Sequence, residues 1–257
     1  MRFVRFTNKN QAPTFGWIND EKVGIISGSI FQDFRRQEAN IDLKDVKLLS
    51  PVISSKIIGV GRNYAEHAKE QGVEIPDIPL IFLKPPSALI GNDDFIEIPP
   101  QSQKVEHEAE LAVVIGKKAR WVPAEKATEF IFGYAVSCDV TARDLQRRDG
   151  QWTRGKGFDT FCPVGPWIET EFDPADALIT CKVNGELRQM ASTREMIFSI
   201  PQLIAYITST MTLEPGDLIL TGTPAGIGAL VPGDEVEISI EGIGTLRNGV
   251  RAYAAGS

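Results

Sequence analysis

Three glutamates alternate along one short segment of the chain. Glu106, Glu108 and Glu110 stand two residues apart, just before the apolar run 111–115. On a β-strand the three carboxylates would share one face, and His107 would point to the other. Unpaired carboxylates are costly to bury, so a positive partner is needed. A divalent cation that prefers oxygen ligands (Mg²⁺, Mn²⁺ or Ca²⁺) is one candidate; the alternative is a solvent-facing acidic stripe on an edge strand.

A fourth carboxylate, Asp139, ends the apolar run 134–138 and precedes a polar segment. The end of a strand is a common position for a ligand, because the loop edge of a sheet is open. Asp139 would equally serve as the N-cap of a helix beginning at Thr141. The residues alone leave both interpretations open.

The chain has two histidines, His67 and His107, which excludes a zinc site built from several histidines of one chain. His67 and Glu70 are three apart in a segment with helical character, so they would share a helix face. A carboxylate beside an imidazole raises its basicity and fixes its tautomer, as in a general base that activates water. The alternative is an incidental pair on a surface helix.

Polar residues further along the chain indicate a binding site for a small acid. Arg143 and Gln146 are three apart on a predicted helix over 141–148, and Lys156 follows in a glycine-containing segment. An Arg fork and a Lys bind carboxylates well, although each is also typical of a solvated surface. The loop 221–228 lacks the residue order of a phosphate loop, but its amides and the Thr223 hydroxyl could approach a small anion.

Composition and charge argue against several classes of protein. The 257 residues carry a net charge of −7, which argues against a nucleic-acid surface. There is no apolar tract of about 18 residues, so no membrane span is expected. The polar segment Thr7–Gln11 argues against a secretory signal, and three widely spaced cysteines are typical of a reducing compartment, so we expect a cytoplasmic protein.

The predicted elements are mostly strands. Strands outnumber helices and do not alternate regularly with them, which favours a β-rich α+β fold. We predict a small N-terminal domain over 1–51 and a larger domain over 52–257. The predicted elements include strands at 2–6, 13–18 and 22–26, a short helix at Ser29–Arg36, one long strand at Lys104–Gly116, a hairpin turn at Asn184-Gly185 and a helix at Ile200–Met211.

Taken together, the segments resemble the fumarylacetoacetate hydrolase family, in particular bacterial members of the acylpyruvate hydrolase and oxaloacetate decarboxylase type. The resemblance covers residues 56–247 in order, and the part before residue 52 resembles the N-terminal extension of bacterial members. Five motifs carry it: Gly59-Val-Gly-Arg-Asn-Tyr-Ala-Glu-His67, Phe82-Leu-Lys-Pro85, His107-Glu-Ala-Glu-Leu111, Cys138-Asp-Val-Thr-Ala-Arg-Asp144 and Ile219-Leu-Thr-Gly-Thr-Pro224.

The resemblance implies a mixed β-sandwich roll that holds a divalent metal through three carboxylates. These fall on Glu108, Glu110 and Asp139, which leaves Glu106 as a neighbour and His107 as a structural residue. The implied cofactor is Mg²⁺ or Mn²⁺, with Ca²⁺ able to replace it in crystals.

The resemblance also implies the remaining site residues. The catalytic set falls on His67, Glu70 and Lys156, and the substrate-binding set on Arg143, Gln146, Lys156 and Thr223. One departure is visible, because many relatives have Lys-Ser-Phe where this chain has Lys156-Gly157-Phe158. The missing hydroxyl would loosen that loop or change a contact.

The expected activity is metal-dependent hydrolysis of the C–C bond of a small acylpyruvate, such as acetylpyruvate or fumarylpyruvate, by way of a pyruvate enolate. The alternatives are oxaloacetate decarboxylation, tautomerisation or isomerisation of 2-hydroxydienoates and oxo acids (of the hydroxyheptadienedioate isomerase type) and, more remotely, a non-catalytic metal-stabilised binding module. The expected partners are a small 2-oxo acid and a second copy of the chain in a homodimer, with no nucleic acid and no membrane.

Overall fold

The computed structural model describes residues 1–8 and 12–254. Residues 9–11 and 255–257 lie outside the described part. The end of the polar segment that argues against a secretory signal therefore falls outside it as well.

Within the described residues, short strands dominate and helices are few. The helices are α1 (Ala65–Glu70), α2 (Arg143–Asp149), α3 (Thr153–Lys156) and α4 (Ile200–Thr210), and 3₁₀ turns span Leu43–Asp45, Pro86–Ala88, Ala124–Phe130 and Thr193–Glu195. The strands are β1 (Arg2–Thr7), β2 (Thr14–Asn19), β3 (Lys22–Gly28), β4 (Phe34–Arg36), β5 (Ile41–Asp42), β6 (Lys47–Leu49), β7 (Ile57–Gly61), β8 (Leu80–Lys84), β9 (Leu89–Ile90), β10 (Phe95–Ile98), β11 (Val105–His107), β12 (Ala109–Ile115), β13 (Ile131–Cys138), β14 (Thr141–Ala142), β15 (Cys162–Glu169), β16 (Leu178–Val183), β17 (Glu186–Ser192), β18 (Leu218–Leu220), β19 (Gly228–Ala229), β20 (Glu235–Ile240) and β21 (Gly244–Ala252).

The strands form a large mixed sheet and two smaller ones. The large sheet runs β4-β3-β2-β1-β15-β13-β12-β18-β7-β8, with β5, β6 and β9 pairing at its side. A five-stranded sheet runs β10-β21-β20-β16-β17, and a three-stranded sheet runs β14-β11-β19. The prediction of a β-rich sandwich is therefore confirmed.

The centre of the large sheet is buried on both faces. Along β12, Leu111 and Val113 pack in one apolar cluster together with Ile179 and Ile238 of the five-stranded sheet. The alternate residue Val114 packs in a second cluster with Phe3, Ile26 and Leu218. Each fully buried aliphatic side chain contributes on the order of 1.5–3 kcal/mol. The strand that leads out of the glutamate segment is thus fixed from both sides.

The N-terminal strands extend the large sheet. β1 pairs with β15 in antiparallel register, with Arg2 opposite Glu169 and Phe3 opposite Ile168. The boundary predicted near residue 52 falls in the connection between β6 and β7.

Two local predictions were wrong. Ser29–Arg36 is not a helix, since the backbone turns after Gly28, whose φ is +102°, and residues 34–36 return as β4 against β3. The strand predicted over Lys104–Gly116 is interrupted at Glu108, where the chain passes from the three-stranded sheet into the large one. The hairpin at Asn184-Gly185 is confirmed, with φ values of +53° and +80° that suit the asparagine–glycine pair.

No helix within the described residues is both long and apolar enough to cross a lipid bilayer.

Candidate active site

Glu108 lies just before the start of β12, beside the end of the neighbouring strand β13. The backbone carbonyl of Glu108 accepts a hydrogen bond of 2.9 Å from the Asp139 amide. Ala109 lies opposite Cys138, and Glu110 opposite Ser137, in the antiparallel pair of β12 and β13. Glu108, Glu110 and Asp139 therefore meet at one edge of the sheet, although Asp139 is about thirty residues away along the chain.

The three carboxylates form a compact buried cluster. One oxygen of each lies within 4.8 Å of the others. Glu108 is 4% exposed, Glu110 1% and Asp139 0%, which excludes the acidic stripe on an edge strand. Asp139 is not a helix cap either, because α2 has Ala142 at its N-cap. We call Glu108, Glu110 and Asp139 the carboxylate cluster.

Two buried lysines neutralise part of the cluster. Lys156 Nζ donates to Glu108 Oε2 at 2.7 Å and to Asp139 Oδ2 at 2.5 Å. Lys84 Nζ donates to Asp139 Oδ1 at 2.6 Å and to the Lys156 carbonyl at 2.5 Å. Burial alone would lower the pKa of Lys156, but Asp139 and Glu108 raise it above its ordinary value. Lys156 is therefore a charged group of the site and not a surface lysine.

Arg143 connects the cluster to its neighbours. Its Nε donates to Glu106 Oε2 at 2.6 Å, its Nη1 to Gln146 Oε1 at 2.6 Å, and its Nη2 to Glu108 Oε1. Burial opposes the charge of Glu108, yet Lys156 and Arg143 hold its pKa well below the usual range. Glu106 pairs with Arg143 and Lys104 and lies beside the cluster.

Glu110 has a different environment. Its Oε2 accepts the Gly222 amide at 2.7 Å, and within the described residues it forms no ion pair. Burial, and then the charges of Asp139 and Glu108, raise the pKa of Glu110 well above its ordinary value. Glu106, Glu108 and Asp139 each have a basic partner, so within the described residues Glu110 is the one carboxylate of this buried group without such a partner.

This donor set fits a divalent cation. The ligands are all oxygens, they converge within one ion's reach, and Glu110 has no basic partner among the described residues. Oxygen-only sites of this kind suit Mg²⁺, Mn²⁺ or Ca²⁺. The geometry does not choose among these ions.

The histidine pair lies at the same cavity. His67 Nδ1 is 3.2 Å from Glu70 Oε2, and Glu70 Oε1 accepts the Gly226 amide at 3.0 Å. His67 is only 5% exposed, so it is not part of a solvated helix surface. Glu70 therefore orients the imidazole and ties α1 to the loop 221–226.

A cavity of about 490 Å³ gathers the site residues. Nearly all the residues predicted from the sequence line it, and Glu70 contributes through His67. The lining includes His67, Glu108, Glu110, Asp139, Arg143, Gln146, Lys156 and Thr223, together with Phe82, Trp152, Arg62 and Arg147. Neither Arg62 nor Arg147 forms an ion pair within the described part of the chain, so both guanidinium groups are available to an acidic ligand.

The loop 221–226 donates backbone hydrogen bonds to carboxylates of the protein itself. Its Gly222 amide binds Glu110 and its Gly226 amide binds Glu70. The φ values of these residues, +100° and +99°, explain the glycines without a phosphate ligand. Gly157 also has a steric explanation, since a Cβ there would lie 2.4 Å from the Thr153 carbonyl oxygen. The glycine therefore allows a tight turn after α3.

His107 lies apart from the cavity. It is buried against Gln189 and Cys181, with Nδ1 3.1 Å from Gln189 Oε1, and burial lowers its pKa. The sequence reasoning missed Lys84 and Gln189. Lys84 belongs to the Phe82-Leu-Lys-Pro85 motif, and a lysine that ends an apolar strand was the available signal.

Comparisons with known proteins place the chain in a family. The family model described as fumarylacetoacetate (FAA) hydrolase C-terminal matches residues 56–251, and the model described as Rv2993c-like, N-terminal matches residues 1–51. The mitochondrial oxaloacetate tautomerase FAHD2B of Bos taurus is 46% identical over 219 residues, which are 80% of this chain and 70% of that protein.

Two solved structures are similar over almost the whole length. The 5-carboxymethyl-2-hydroxymuconate delta-isomerase of Mycobacterium smegmatis is 44% identical, with a TM-score of 0.91, and the match covers 98% of this chain and 100% of that chain. The fumarylacetoacetate hydrolase of Exiguobacterium antarcticum is 37% identical, with a TM-score of 0.85 and the same coverage. These relatives are enzymes of three reaction types. On its sequence, its fold and its buried carboxylate cluster, the chain belongs to the fumarylacetoacetate hydrolase family.

Proposed function

We propose that the chain is a divalent-metal-dependent enzyme that enolises small 2-oxo acids, with keto–enol tautomerisation of oxaloacetate as the first reaction to test. The observation that carries the proposal is that His67, oriented by Glu70, lines the same cavity as the three clustered carboxylates. The cavity thus offers both a base and ligands for a cation.

Glu108, Glu110 and Asp139 would hold the ion. When bound, a divalent cation supplies Lewis-acid stabilisation of the negative charge that develops on the 2-oxo oxygen. The protein supplies the oxygen ligands, buries them and fixes two of them with Lys84, Lys156 and Arg143.

His67 would carry the proton. If Nδ1 donates its hydrogen to Glu70, Nε2 keeps a lone pair and is able to accept a proton from C3 of the substrate. The electron pair of the C3–H bond then forms the C2=C3 double bond, and the charge moves to the 2-oxo oxygen. Protonation of that oxygen gives the enol, and the reverse sequence restores the ketone.

Cationic side chains would hold the acidic ends of the substrate. Arg143 and Lys156 are buried beside the cluster, Gln146 and Thr223 add hydrogen-bonding groups, and all four line the cavity. Arg62 and Arg147, more exposed and without acidic partners within the described residues, suit a second carboxylate. A 2-oxo dicarboxylate such as oxaloacetate matches this distribution of charge.

Hydrolysis of an acylpyruvate is the second candidate, favoured by the same His67–Glu70 pair. Here His67 would take a proton from water, which attacks the C4 carbonyl. The C3–C4 bond then breaks and its electron pair stays with the three-carbon fragment, which becomes pyruvate after protonation. Oxaloacetate decarboxylation and isomerisation of 2-hydroxydienoates need the same stabilised charge but no attacking water.

The names of the relatives support the order of these candidates. The protein at 46% identity is named as an oxaloacetate tautomerase and the structure at 44% as an isomerase, whereas the structure named as a hydrolase is at 37%. A non-catalytic metal-stabilised module is the remaining alternative. It requires that removal of the metal lowers the melting temperature while no substrate is turned over.

The test is a substrate panel with Mg²⁺ or Mn²⁺ and with chelator. Oxaloacetate is followed both by the decay of enol absorbance and by pyruvate release, and acetylpyruvate and a 2-hydroxymuconate-type dienoate are followed in parallel. We expect metal-dependent enol decay without pyruvate release. Pyruvate from oxaloacetate would instead assign decarboxylation, and pyruvate with acetate from acetylpyruvate would assign hydrolysis. An absence of metal-dependent turnover on every substrate would contradict the proposal.

The variant His67→Ala tests whether this histidine is the catalytic base. We expect the rate to fall by about 10²- to 10⁴-fold on the substrate that the enzyme uses. Glu66→Gln, at an exposed position of α1, is the matched control and should leave the rate unchanged. If acylpyruvate cleavage is present and survives undiminished in His67→Ala, activation of water by this histidine is wrong.

A further inference from the structure

We propose that Gln189 is a positioning residue that fixes the metal ligand Glu108 and the substrate-binding residue Thr223 relative to each other. Gln189 lies on β17, at the edge of the five-stranded sheet, and its side chain is 1% exposed. It does not line the cavity, so it acts through other residues. The inference rests on the function proposed above, because it assumes that those two residues have these roles.

One end of the Gln189 amide holds the residues on either side of Glu108. Its Oε1 accepts the Ala109 amide at 3.0 Å and lies 3.1 Å from His107 Nδ1. Glu108 stands between these two, at the point where β11 ends and β12 begins. Outside a regular ladder, a backbone needs other partners to keep its conformation. Gln189 supplies one to the backbone after Glu108, at Ala109, and holds the imidazole of the residue before it, His107.

The other end holds the loop that carries Thr223. Its Nε2 donates to Thr223 Oγ1 at 2.8 Å and to the Pro224 carbonyl at 2.8 Å. The preceding residue Gly222 donates to Glu110, and Asn63 donates to the Thr221 carbonyl at 2.8 Å. The loop is therefore fixed from three directions, and the Gln189 contact is the one that sets the Thr223 hydroxyl.

The four contacts use the full hydrogen-bonding capacity of one primary amide, two acceptor positions and two donors. They also fix its orientation. A flipped amide would face the Ala109 N–H with its NH₂ group and the Pro224 carbonyl with its oxygen, leaving buried groups unpaired. Because Oε1 can only accept, the bond to His107 requires the hydrogen on Nδ1 of that imidazole. His107 therefore links Gln189 to the segment that carries Glu108.

The test compares two variants of Gln189 with a matched control. Gln189→Met removes all four contacts at similar length, and Gln189→Glu keeps the acceptor end but loses the donor end. Asn248→Ala is the control, because Asn248 is 3% exposed and its amide holds the carbonyls of Gly91 and Asp94, away from the cavity. Each protein is measured for melting temperature, for Mn²⁺ affinity by calorimetry and for kcat and KM.

For Gln189→Met we expect Mn²⁺ affinity to fall by about 10-fold and KM to rise by about 10- to 100-fold, the range typical of residues that orient ligands. Gln189→Glu should raise KM while largely preserving Mn²⁺ affinity. Asn248→Ala should lower the melting temperature and change neither. If Gln189→Met is folded and has wild-type Mn²⁺ affinity and KM, the proposal is wrong.

A double-variant cycle tests the route through Thr223. Thr223→Val alone should raise KM, and adding it to Gln189→Met should cost little more, because the hydroxyl is already misplaced. Effects that multiply would show that the two residues act independently and would overturn the proposal. If Gln189→Met fails to fold, Gln189→Glu takes its place in the cycle. The Mn²⁺ titration needs no turnover, so failure of the proposed reaction would be seen separately from failure of this inference.

Discussion

The carboxylate cluster and helix α1 face the same cavity but are built in opposite ways. Each carboxylate of the cluster is at most 4% exposed and lies on or beside strands of the buried large sheet. In α1 only His67 and Ala68 are buried, the helix has six residues, and Tyr64 at its N-cap gives no side-chain hydrogen bond. The cluster is therefore fixed by packing and ion pairs, whereas α1 is held by few contacts.

This difference implies that stability and activity are coupled in the cluster and separable on α1. Glu108 and Asp139 are paired with basic side chains of other elements, so removal of one partner leaves a buried charge uncompensated. On α1, the contact between Glu70 and Gly226 is one hydrogen bond at the surface. Substitutions in the two regions should differ both in size and in kind.

The largest expected effect is that of Lys84→Met. Lys84 is 1% exposed and binds Asp139, the Val140 carbonyl and the Lys156 carbonyl. Removing one partner of a buried ion pair costs about 3–5 kcal/mol, so we expect a loss of that order in the free energy of unfolding, measured by urea denaturation with chelator present. Metal affinity should fall as well, because Asp139 loses its orientation.

Lys22→Met is the control for Lys84→Met. Lys22 pairs with Asp42, and both side chains are more than 40% exposed, so its loss should not be measurable in the same experiment. Equal losses for the two lysines would mean that the buried pair of Lys84 does not stabilise the cluster.

Next in size is the contrast between two members of the cluster. Asp139→Asn would leave Lys84 and Lys156 without their shared partner, and we expect a loss of about 3–5 kcal/mol without metal. Glu110→Gln removes a carboxylate that has no ion pair in the described structure and whose pKa is already raised by burial and by like charges. We expect its free energy of unfolding with chelator to equal or exceed that of the wild type.

Both variants should lose the rise in melting temperature that Mn²⁺ gives to the wild type, because each removes one of three ligands. Thermal unfolding with and without Mn²⁺ measures the two effects together. If Glu110→Gln is as destabilised as Asp139→Asn in chelator, then the uneven distribution of basic side chains around the cluster does not govern the free energy of unfolding. If either variant keeps the full Mn²⁺ shift, that residue is not a ligand.

The two regions also differ in how far the sequence could predict them. The alternation of Glu106, Glu108 and Glu110 indicated one shared face, and the family resemblance alone set Glu106 aside. The structural reason is the break at Glu108 and the pairing of β12 with β13. Lys84 and Gln189 were missed because their partners lie about 55 and 80 residues away along the chain, and no local spacing reveals such contacts. By contrast, the pair His67–Glu70 is local and was found from helical spacing alone.

The smallest expected effect is that of Glu70→Gln on α1. The amide oxygen of glutamine is able to keep the bond from Gly226, but its NH₂ group cannot accept from His67 Nδ1, so the imidazole loses the acceptor that orients it and fixes its tautomer. We expect kcat to fall roughly tenfold, which is about 1.4 kcal/mol of transition-state stabilisation, with no change in melting temperature or Mn²⁺ affinity. Glu66→Gln, one turn away and exposed, should change none of these. A fall in melting temperature comparable to that of Lys84→Met would instead place Glu70 among the residues that hold the fold, and α1 would no longer differ in kind from the carboxylate cluster.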